Sequence, residues 1–263
     1  MRVRVRKDWE IISSMKVRFL NSKGGTLVGY LYKPIKKTDK AVIFCHGFMG
    51  FKEPFKFWAM YLSLRGFITL AFDFTGSGES DGYLTEGTIS QEVSDLDRAI
   101  KFLKKNHGVK KVCVLAHSMG AAIALISASK NKDTDCIIAL SPLVIFEGKP
   151  FKKYTNKIAD VWDSKGLCEL VRCKRMRSLK LNFFTDLKKY NVLQAAKKIK
   201  IPILVIHGDS DSTIDIKEGR ILYDTMKVRD KKFYTAEGVG HYFEKHKLKL
   251  HGIILDWFRK YLK

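Results

Sequence analysis

The chain has 263 residues, of which 46% are hydrophobic, and it carries a formal net charge of +22 with a pI near 9.7. This length and apolar content are enough for one α/β domain with an insertion. No apolar run approaches the roughly 18 residues of a membrane span, and the basic start, Met1 to Lys7, lacks the apolar segment of a signal peptide. These features exclude a membrane-spanning chain and predict a soluble, cytoplasmic protein.

The positive charge has two interpretations, nucleic-acid binding or a lysine-rich solvated surface. No nucleic-acid motif accompanies the charge, which favours the solvated surface. The abundance of Lys, Glu and Ile beside only two glutamines, Gln91 and Gln194, is typical of a hyperthermophile protein.

The five cysteines do not form a metal-binding pattern. Cys45, Cys113 and Cys136 lie inside apolar runs, where a free cysteine behaves as a small buried hydrophobe. Cys168 and Cys173 have no companion histidine or cysteine at zinc-like spacing. We therefore expect no metal and no other cofactor.

The first part of the chain alternates between strand and helix patterns. Residues 15–20 and 26–32 are predicted to be antiparallel strands joined by a glycine-containing turn. Residues 41–45 form a short apolar run that indicates a strand buried on both faces, followed by a helix near 54–65 and a strand at 67–72. This βαβ order predicts a parallel sheet.

The segment 73–82 is rich in glycine and follows a strand, which is one feature of a dinucleotide-binding loop. That fingerprint requires its glycines to open a helix, whereas residues 83–87 read as irregular chain. The helix begins only at Thr88, which with Gln91 fits a capping box, and it ends at Gly108. We therefore reject the dinucleotide site.

The stretch around Ser118 resembles a nucleophile elbow. A buried strand at 112–116 leads into Ala116-His117-Ser118-Met119-Gly120 and then into an apolar helix. In the Gly-x-Ser-x-Gly motif the serine occupies a strained strand-to-helix turn with its Oγ exposed above the sheet. Here Ala116 replaces the first glycine and Gly120 keeps the second.

The second half of the chain resumes the alternation after an interruption. The predicted strands and helices there are residues 137–140, 203–207 and 232–235 for the strands, and 214–226 and 250–262 for the helices. Residues 147–200 contain 15 basic and 5 acidic residues and lack a strand pattern of similar strength. We predict a core of residues 1–146 and 201–263 and a mostly helical cap at 147–200.

A serine nucleophile needs a base, and the base needs a carboxylate that orients it. Of the seven histidines, we choose His241 as the base because it lies in a glycine-rich loop after the last strand, from which it can reach Ser118. Four others are interpreted as structural, His46, His107, His117 and His207, and the remaining two, His246 and His251, belong to the basic C-terminal region. The candidate acids follow the preceding strand: Asp209, Asp211 and Asp215.

Nearly the whole chain resembles the α/β-hydrolase superfamily, and its motifs resemble the monoacylglycerol-lipase and feruloyl-esterase branch. These motifs are His46-Gly47-Phe48, Asp73 to Gly82, Ala116 to Gly120, Gly208 to Asp211, and Gly240-His241. The resemblance implies a mostly parallel eight-stranded sheet with helices on both faces and a helical cap. It also favours Asp211 as the acid, because Gly208 to Asp211 matches the family's Gly-x-x-Asp pattern. Independently of the family, Asp215 is predicted to be a helix cap, and Asp209 a turn residue bonded to its own backbone.

The family resemblance further implies an oxyanion hole made by the backbone N–H groups of Phe48 and Met119. For a substrate pocket we name apolar residues of the cap, first Trp162, Phe183 and Phe184. Further aromatic or apolar candidates there are Phe151, Tyr154 and Leu167. The expected function is hydrolysis of a small carboxylic ester by a serine acyl-enzyme mechanism.

Three alternatives stay open. The same triad also cleaves peptides and thioesters, and a non-catalytic ligand-binding scaffold is never ruled out by fold. Nucleic-acid binding through the basic cap would give steep salt dependence. A homodimer is compatible with these features, whereas nucleic acid is not an expected partner.

Overall fold

The computed structural model describes residues 13–146, 167–172, 175–243 and 247–263. The strands of its main sheet are β1 (Ser13–Leu20), β2 (Thr26–Lys33), β3 (Lys40–Cys45), β4 (Ile68–Phe72), β5 (Lys111–His117), β6 (Cys136–Leu140), β9 (Ile203–Gly208) and β10 (Lys231–Ala236). A separate hairpin consists of β7 (Leu167–Arg172) and β8 (Arg175–Lys180).

The main sheet has the order β1-β2-β4-β3-β5-β6-β9-β10. The pairs β1/β2 and β2/β4 are antiparallel, and every other neighbouring pair is parallel. The parallel strands β3 to β6 and β9 are almost entirely buried, because helices cover both faces. The predicted eight-stranded, mostly parallel sheet is confirmed, with strand bounds that differ by two residues or fewer.

The helices of the described segments are α1 (Lys56–Ser63), α2 (Ile89–His107), α3 (Met119–Lys130), α4 (Leu181–Leu187), α5 (Val192–Lys198), α6 (Ile216–Thr225) and α7 (Lys247–Tyr261). Helices α2 to α6 pack on one face of the sheet, with Leu96 and Ile123 among the buried residues there. Helices α1 and α7 pack on the other face, through residues such as Leu62 and Phe258. The sheet therefore has a core on each side.

Helix α2 begins and ends where its sequence predicts. The Thr88 hydroxyl accepts a hydrogen bond from the Gln91 N–H, and Gly108 ends the helix in the left-handed region at φ +65°. The capping box is only half formed, however. The Gln91 amide donates to the Asp95 carboxylate and to Ser22 instead of reaching the Thr88 backbone. A hydrogen bond to a carboxylate is stronger than one between neutral groups. This difference favours the orientation of the Gln91 side chain toward Asp95 over the one that completes the capping box.

The described part of the proposed cap contains the hairpin β7/β8 and the short helices α4 and α5. The sequence analysis did not predict this hairpin, because Glu169 interrupts the apolar run of β7 and the basic residues of β8 leave no regular apolar alternation. The hairpin lies against the 3₁₀ turn at Leu84–Glu86, after the glycine-rich loop. The strands β7 and β8 thus form where they contact another part of the chain, although their own sequence pattern does not favour a strand.

The helices that the structure describes include none that is both long and apolar enough to cross a bilayer. Cys45, Cys113 and Cys136 are free and fully buried, as their apolar surroundings predict. Cys173 lies outside the described residues, as do Met1 to Lys7.

Candidate active site

The carboxyl ends of β3, β5, β9 and β10 meet at one edge of the sheet. In a parallel sheet these ends form a common crevice, which is where open α/β folds bind ligands. The loops that leave these strands carry His46, Ser118, Asp211 and His241. This edge is the candidate active site.

Ser118 links β5 to α3 in a strained conformation. Its φ of 57° and ψ of −121° lie in a region that non-glycine residues rarely adopt. The turn is held by three backbone hydrogen bonds. The Ser118 N–H donates to the Leu140 carbonyl, and the Ser118 carbonyl accepts from the N–H groups of Ala121 and Leu143. Such a conformation persists only where the surroundings enforce it, and the neighbouring strand β6 does so here.

Small residues allow α3 to approach β3 closely. A Cβ added to Gly120 would lie 2.5 Å from the His46 carbonyl oxygen, which no side chain tolerates. Gly47 lies against the elbow as well, since a Cβ on it would be 3.0 Å from the Ser118 Cβ. Ala116 is fully buried in β5, so alanine is accommodated where the motif usually has its first glycine.

Asp211 and His241 are brought together by the loops after β9 and β10. The Asp211 Oδ2 accepts a hydrogen bond from His241 Nδ1 at 2.9 Å, and its Oδ1 accepts from the N–H groups of Thr213 and Ile214. Burial acts to raise the pKa of Asp211, but hydrogen bonds from His207, His241 and the backbone outweigh it and hold that pKa well below its ordinary range. Asp211 is therefore an anion throughout the neutral range.

The other two candidate acids have different roles. Asp215 is the N-cap of α6, where its carboxylate accepts from the Lys217 N–H, as its position predicts. Asp209 does not bond its own backbone two residues on, so that expectation is wrong. Its Oδ1 accepts instead from the Gly238 N–H and the Ser210 hydroxyl, because the loop after β10 folds back over it.

His117 connects His241, the proposed base, to the elbow. Its Nε2 lies 2.9 Å from the His241 carbonyl oxygen, and the two rings are 4.6 Å apart between centroids. A carbonyl only accepts, so the His117 Nε2 carries a proton and donates it. Because His117 precedes Ser118 directly, this bond holds the His241 loop beside Ser118.

His207 contacts Asp211, the proposed acid, and the sequence analysis missed this contact. Its Nε2 donates to the Ile214 carbonyl at 3.0 Å and lies 3.4 Å from the Asp211 Oδ2. His207 is fully buried at the end of β9. The sequence signal that could have found this contact is the position of His207, at the end of a buried strand and four residues before Asp211.

The backbone proposed as an oxyanion hole flanks Ser118. Phe48 follows Gly47 in a turn closed by a hydrogen bond from the Gly50 N–H to the Gly47 carbonyl, with Met49 at a positive φ of 54°. Met119 is the first residue of α3, where backbone N–H groups lack acceptors within the helix and the helix dipole is positive. Both positions are suited to an anion beside the nucleophile.

Two of the three proposed pocket residues are described. Phe183 and Phe184 are buried on α4, and the ring of Phe183 lies 5.3 Å from that of Phe48. Helix α4 thus packs directly on the proposed oxyanion loop. Trp162, Phe151 and Tyr154 lie outside the described residues.

Within the segments that the structure describes, no group of three or more His, Cys, Asp or Glu side chains is arranged to hold a metal ion. The acidic and imidazole groups at the sheet edge bond to one another and to the backbone instead.

The sheet order, the strained serine elbow and the hydrogen-bonded Asp–His pair define an α/β-hydrolase. The chain belongs to the family described as serine aminopeptidase, S33, which matches residues 36–167 and 169–245.

Individual relatives of the chain include a lipase and esterases. A monoglyceride lipase from Homo sapiens is 25% identical over 258 residues, covering 86% of this chain and 83% of that protein. Among solved structures, Est1E from Butyrivibrio proteoclasticus with ferulic acid bound superposes with a TM-score of 0.77 at 22% identity, over 94% of this chain and 99% of that one. A Pyrococcus furiosus esterase superposes with a TM-score of 0.74 at 22% identity, over 96% of this chain and 94% of that one. The two structures show that the fold is shared, and the lipase relative supports an ester hydrolase in general terms.

Proposed function

We propose that the protein is a serine hydrolase that cleaves carboxylic esters through an acyl-enzyme. The observation that carries this proposal is the 2.9 Å hydrogen bond between Asp211 and His241, held beside the strained elbow of Ser118. A carboxylate only accepts, so the His241 Nδ1 bears the proton. The Nε2 of the neutral ring is then the atom available to accept the serine proton.

Acylation begins when the Ser118 Oγ attacks the ester carbonyl while its proton passes to the His241 Nε2. The imidazolium that forms is stabilised by Asp211, which stays ionised. The tetrahedral intermediate then collapses, the bond to the alcohol breaks, and the alcohol oxygen takes the proton from His241. The products of this half-reaction are the free alcohol and acyl-Ser118.

Deacylation repeats these steps with water as the nucleophile. The water oxygen attacks the acyl carbonyl while His241 accepts a proton from the water. His241 gives this proton to the Ser118 Oγ when the bond between Oγ and the acyl carbon breaks. In both half-reactions the developing oxyanion is proposed to accept hydrogen bonds from the N–H groups of Phe48 and Met119. Preorganised donors of this kind commonly give the largest single contribution to the rate.

The substrate pocket is proposed to lie between this edge and the cap, with Phe183, Phe184 and Trp162 in its wall. An apolar or aromatic acyl group suits such a wall. The human relative is a monoglyceride lipase and Est1E was solved with ferulic acid. Acylglycerols and feruloyl esters are therefore the first substrates to test.

A peptidase is the second candidate, because the family is described as a serine aminopeptidase. The same Ser118, His241 and Asp211 can attack an amide, and a thioester is attacked still more readily. A non-catalytic scaffold is disfavoured by the buried Asp211–His241 hydrogen bond, which a ligand-binding protein has no need to retain.

The test is a panel of nitrophenyl esters of increasing acyl length, with feruloyl and monoacylglycerol esters, an aminoacyl anilide and an acyl thioester. Each is assayed with the parent and with Ser118→Ala, both shown to be folded by circular dichroism. We expect ester hydrolysis by the parent alone. Hydrolysis of the anilide only would establish the peptidase, and activity on none of the compounds would refute the hydrolase assignment.

The biological setting is also a proposal. We propose a cytoplasmic, heat-stable enzyme whose basic surface is solvated and which can form homodimers. Thermal unfolding at or below about 65 °C, where ordinary domains melt, would contradict the thermophile origin. Cell fractionation, size-exclusion chromatography and retention on DNA at physiological salt test the location, the dimer and the surface.

A further inference from the structure

Lys52 is a lysine with no solvent exposure, four residues after Phe48. Its Nζ donates to the Asp73 Oδ2 at 2.6 Å and to the Glu79 Oε2 at 2.7 Å, and lies 3.1 Å from the Glu53 Oε1. The ammonium also lies 4.9 Å from the centroid of the Tyr30 ring. A buried ammonium is costly unless it is paired and hydrogen-bonded, and this one is both.

Asp73 binds two loops at once. Its carboxylate is fully buried and accepts three hydrogen bonds, from the Lys52 Nζ, from the Lys52 N–H at 2.7 Å and from the Glu79 N–H at 2.9 Å. A Cβ added to Gly78 would lie 2.1 Å from the Asp73 Oδ2, so the loop after β4 wraps tightly around this group. The loop after β3 is thereby tied to the loop after β4.

The tied segment is the one that carries Phe48. It starts at Gly47 against Ser118, turns through the bond between Gly50 and Gly47, and ends at Lys52. A weaker second tie joins the same two loops, since the His46 Nε2 accepts from the Phe74 N–H at 3.2 Å. Within these residues, the Lys52–Asp73 pair is the charged anchor at the far end of the turn.

Stability alone does not explain this pair. Replacing a buried ion pair by apolar residues of similar volume is often neutral or stabilising, so such a pair is weak evidence for a contribution to stability. What charged groups supply here is geometry, because three short bonds converge on one carboxylate. Oxyanion donors need such geometry, since they must lie within about 2.7–3.1 Å of the developing charge.

We propose that Lys52 and Asp73 are positioning residues that hold the Phe48 N–H in the oxyanion hole. The inference rests on the proposed esterase function and adds two residues that never touch the substrate. It predicts that breaking the pair lowers kcat with little change in KM, because the oxyanion forms in the transition state and not in the bound ester.

The pH dependence separates this role from that of the Asp211–His241 pair. Burial acts to lower the pKa of Lys52, but its hydrogen bonds to Asp73 and Glu79 outweigh burial and raise that pKa above its ordinary value. Lys52 therefore stays charged over the whole range in which an imidazole titrates. Replacing Lys52 by a neutral residue should lower kcat by the same factor at every pH between 5 and 8. The midpoint of the pH–rate profile should stay unchanged.

The experiment compares Lys52→Met with the parent, with kcat expressed per active site titrated by a fluorophosphonate. We expect kcat to fall about 10- to 100-fold, a part of the 10²- to 10³-fold loss of a whole oxyanion donor. The affinity for a trifluoromethyl ketone, which forms a tetrahedral adduct, should fall by the same factor. The affinity for the carboxylic acid product should stay within twofold of the parent.

Two further variants separate positioning from folding. Lys52→Met combined with Asp73→Asn removes both charges and so avoids an uncompensated buried carboxylate. Lys111→Met is the matched control. Lys111 pairs at 2.9 Å with Asp135, which, like Asp73, also accepts a backbone N–H, but this ion pair lies on the surface. We expect the double variant to melt near the parent and keep a kcat at least tenfold reduced, while Lys111→Met has parental kcat.

Parental kcat in the folded double variant would overturn the inference, as would a shifted pH midpoint or an equal loss of affinity for product and ketone. Failure of the proposed function is a separate result, because it would appear in the parent as absence of ester hydrolysis. Failure of the positioning role would appear only in the variants of an active parent.

Discussion

The two sides of Ser118 are held by different kinds of interaction. The oxyanion side, residues 47–52 and 73–79, is joined by the buried ion pair of Lys52 and Asp73. The acid–base side, residues 209–214 and 237–241, is joined by imidazoles, with His207 near Asp211 and His117 bonded to the His241 carbonyl. One side is fixed by an ion pair, and the other by hydrogen bonds of imidazole groups.

This difference matches what each side is proposed to do. Oxyanion donors must stay in place in every protonation state, so an ion pair that keeps its charges across the working range suits them. The base must gain and lose a proton in each cycle, so its neighbours must tolerate a change of charge. The following predictions test whether chemistry divides between the two sides in this way.

The largest effect is expected from Ser118→Ala, which removes the atom that both sides serve. Loss of the nucleophile from a comparable triad costs about 10⁶-fold in kcat. The fold should stay intact, because alanine keeps the backbone hydrogen bonds that hold the turn. Ester hydrolysis and fluorophosphonate labelling measure the loss. Labelling that persists on another serine would show that the elbow is misassigned.

The next largest effect belongs to the acid–base side alone. Asp211→Asn favours the wrong imidazole tautomer and should lower kcat by about 10⁴-fold, as in the known serine-protease case. Asp209→Asn is its control two residues away, since an asparagine oxygen can still accept from the Gly238 N–H. We expect near-parental kcat for the control. The reverse ranking in a steady-state assay would transfer the role to Asp209.

A third effect is the response to pH. His241 must be neutral to accept the Ser118 proton, so kcat/KM should rise about tenfold per pH unit on the acid limb and then level off. Asp211 does not produce this limb. Its lowered folded-state pKa means that its stabilising bonds persist above its unfolded pKa and are lost only as the pH falls through the folded value.

Steady-state rates between pH 5 and 8 on one ester check this third prediction, with circular dichroism at each pH to show that the protein stays folded. A rate independent of pH over that range would remove a histidine base from the mechanism. It would also abolish the proposed division between the two sides.

A smaller effect is expected where the cap meets the oxyanion side. Phe184→Ala should change the ranking of acyl groups, with a loss of about 10-fold for long or aromatic esters relative to acetate, because pocket contacts of this size discriminate by about 1–3 kcal/mol. Leu187→Ala, on the same helix and also buried, is the control for loss of packing. Equal loss on every ester in both variants would make Phe184 purely structural. Trp162→Ala tests the pocket residue that lies outside the described segments.

The smallest effect concerns Glu92, a buried carboxyl that contrasts with Asp73. Its Oε2 has no partner in the described structure, and burial, followed by repulsion from Asp95, raises its pKa well above the ordinary value. A raised folded-state pKa means that stability falls as pH rises from the unfolded pKa toward the folded one, because the unfolded chain ionises first.

We therefore expect Glu92→Gln to raise Tm at pH 8 by roughly 2–4 °C, which corresponds to about 1 kcal/mol for a domain of this size. At pH 4 the carboxyl is protonated in both states, so the gain should be much smaller. Melting curves at the two pH values give the comparison. An equal shift at both would show that ionisation of Glu92 is not the cause.

Much of the architecture can be read from local pattern. The short apolar runs at β3, β4, β5 and β9 predicted buried strands within two residues of their observed bounds, since a strand covered on both faces needs nearly continuous apolar sequence. The small residues around Ser118 predicted the elbow, and the choice among Asp209, Asp211 and Asp215 followed from strand-end position and a family pattern. Their catalytic roles stay predictions.

The parts that were missed depend on partners distant in sequence. The hairpin β7/β8 forms against other elements and has no clean alternation of its own. Asp209 bonds Gly238 rather than its own turn. Lys52 resembles any surface lysine in a basic chain, and only the approach of Asp73, 21 residues away, buries it. Composition and periodicity report which residues avoid water, whereas pairing of polar groups depends on which loops the sheet order brings together.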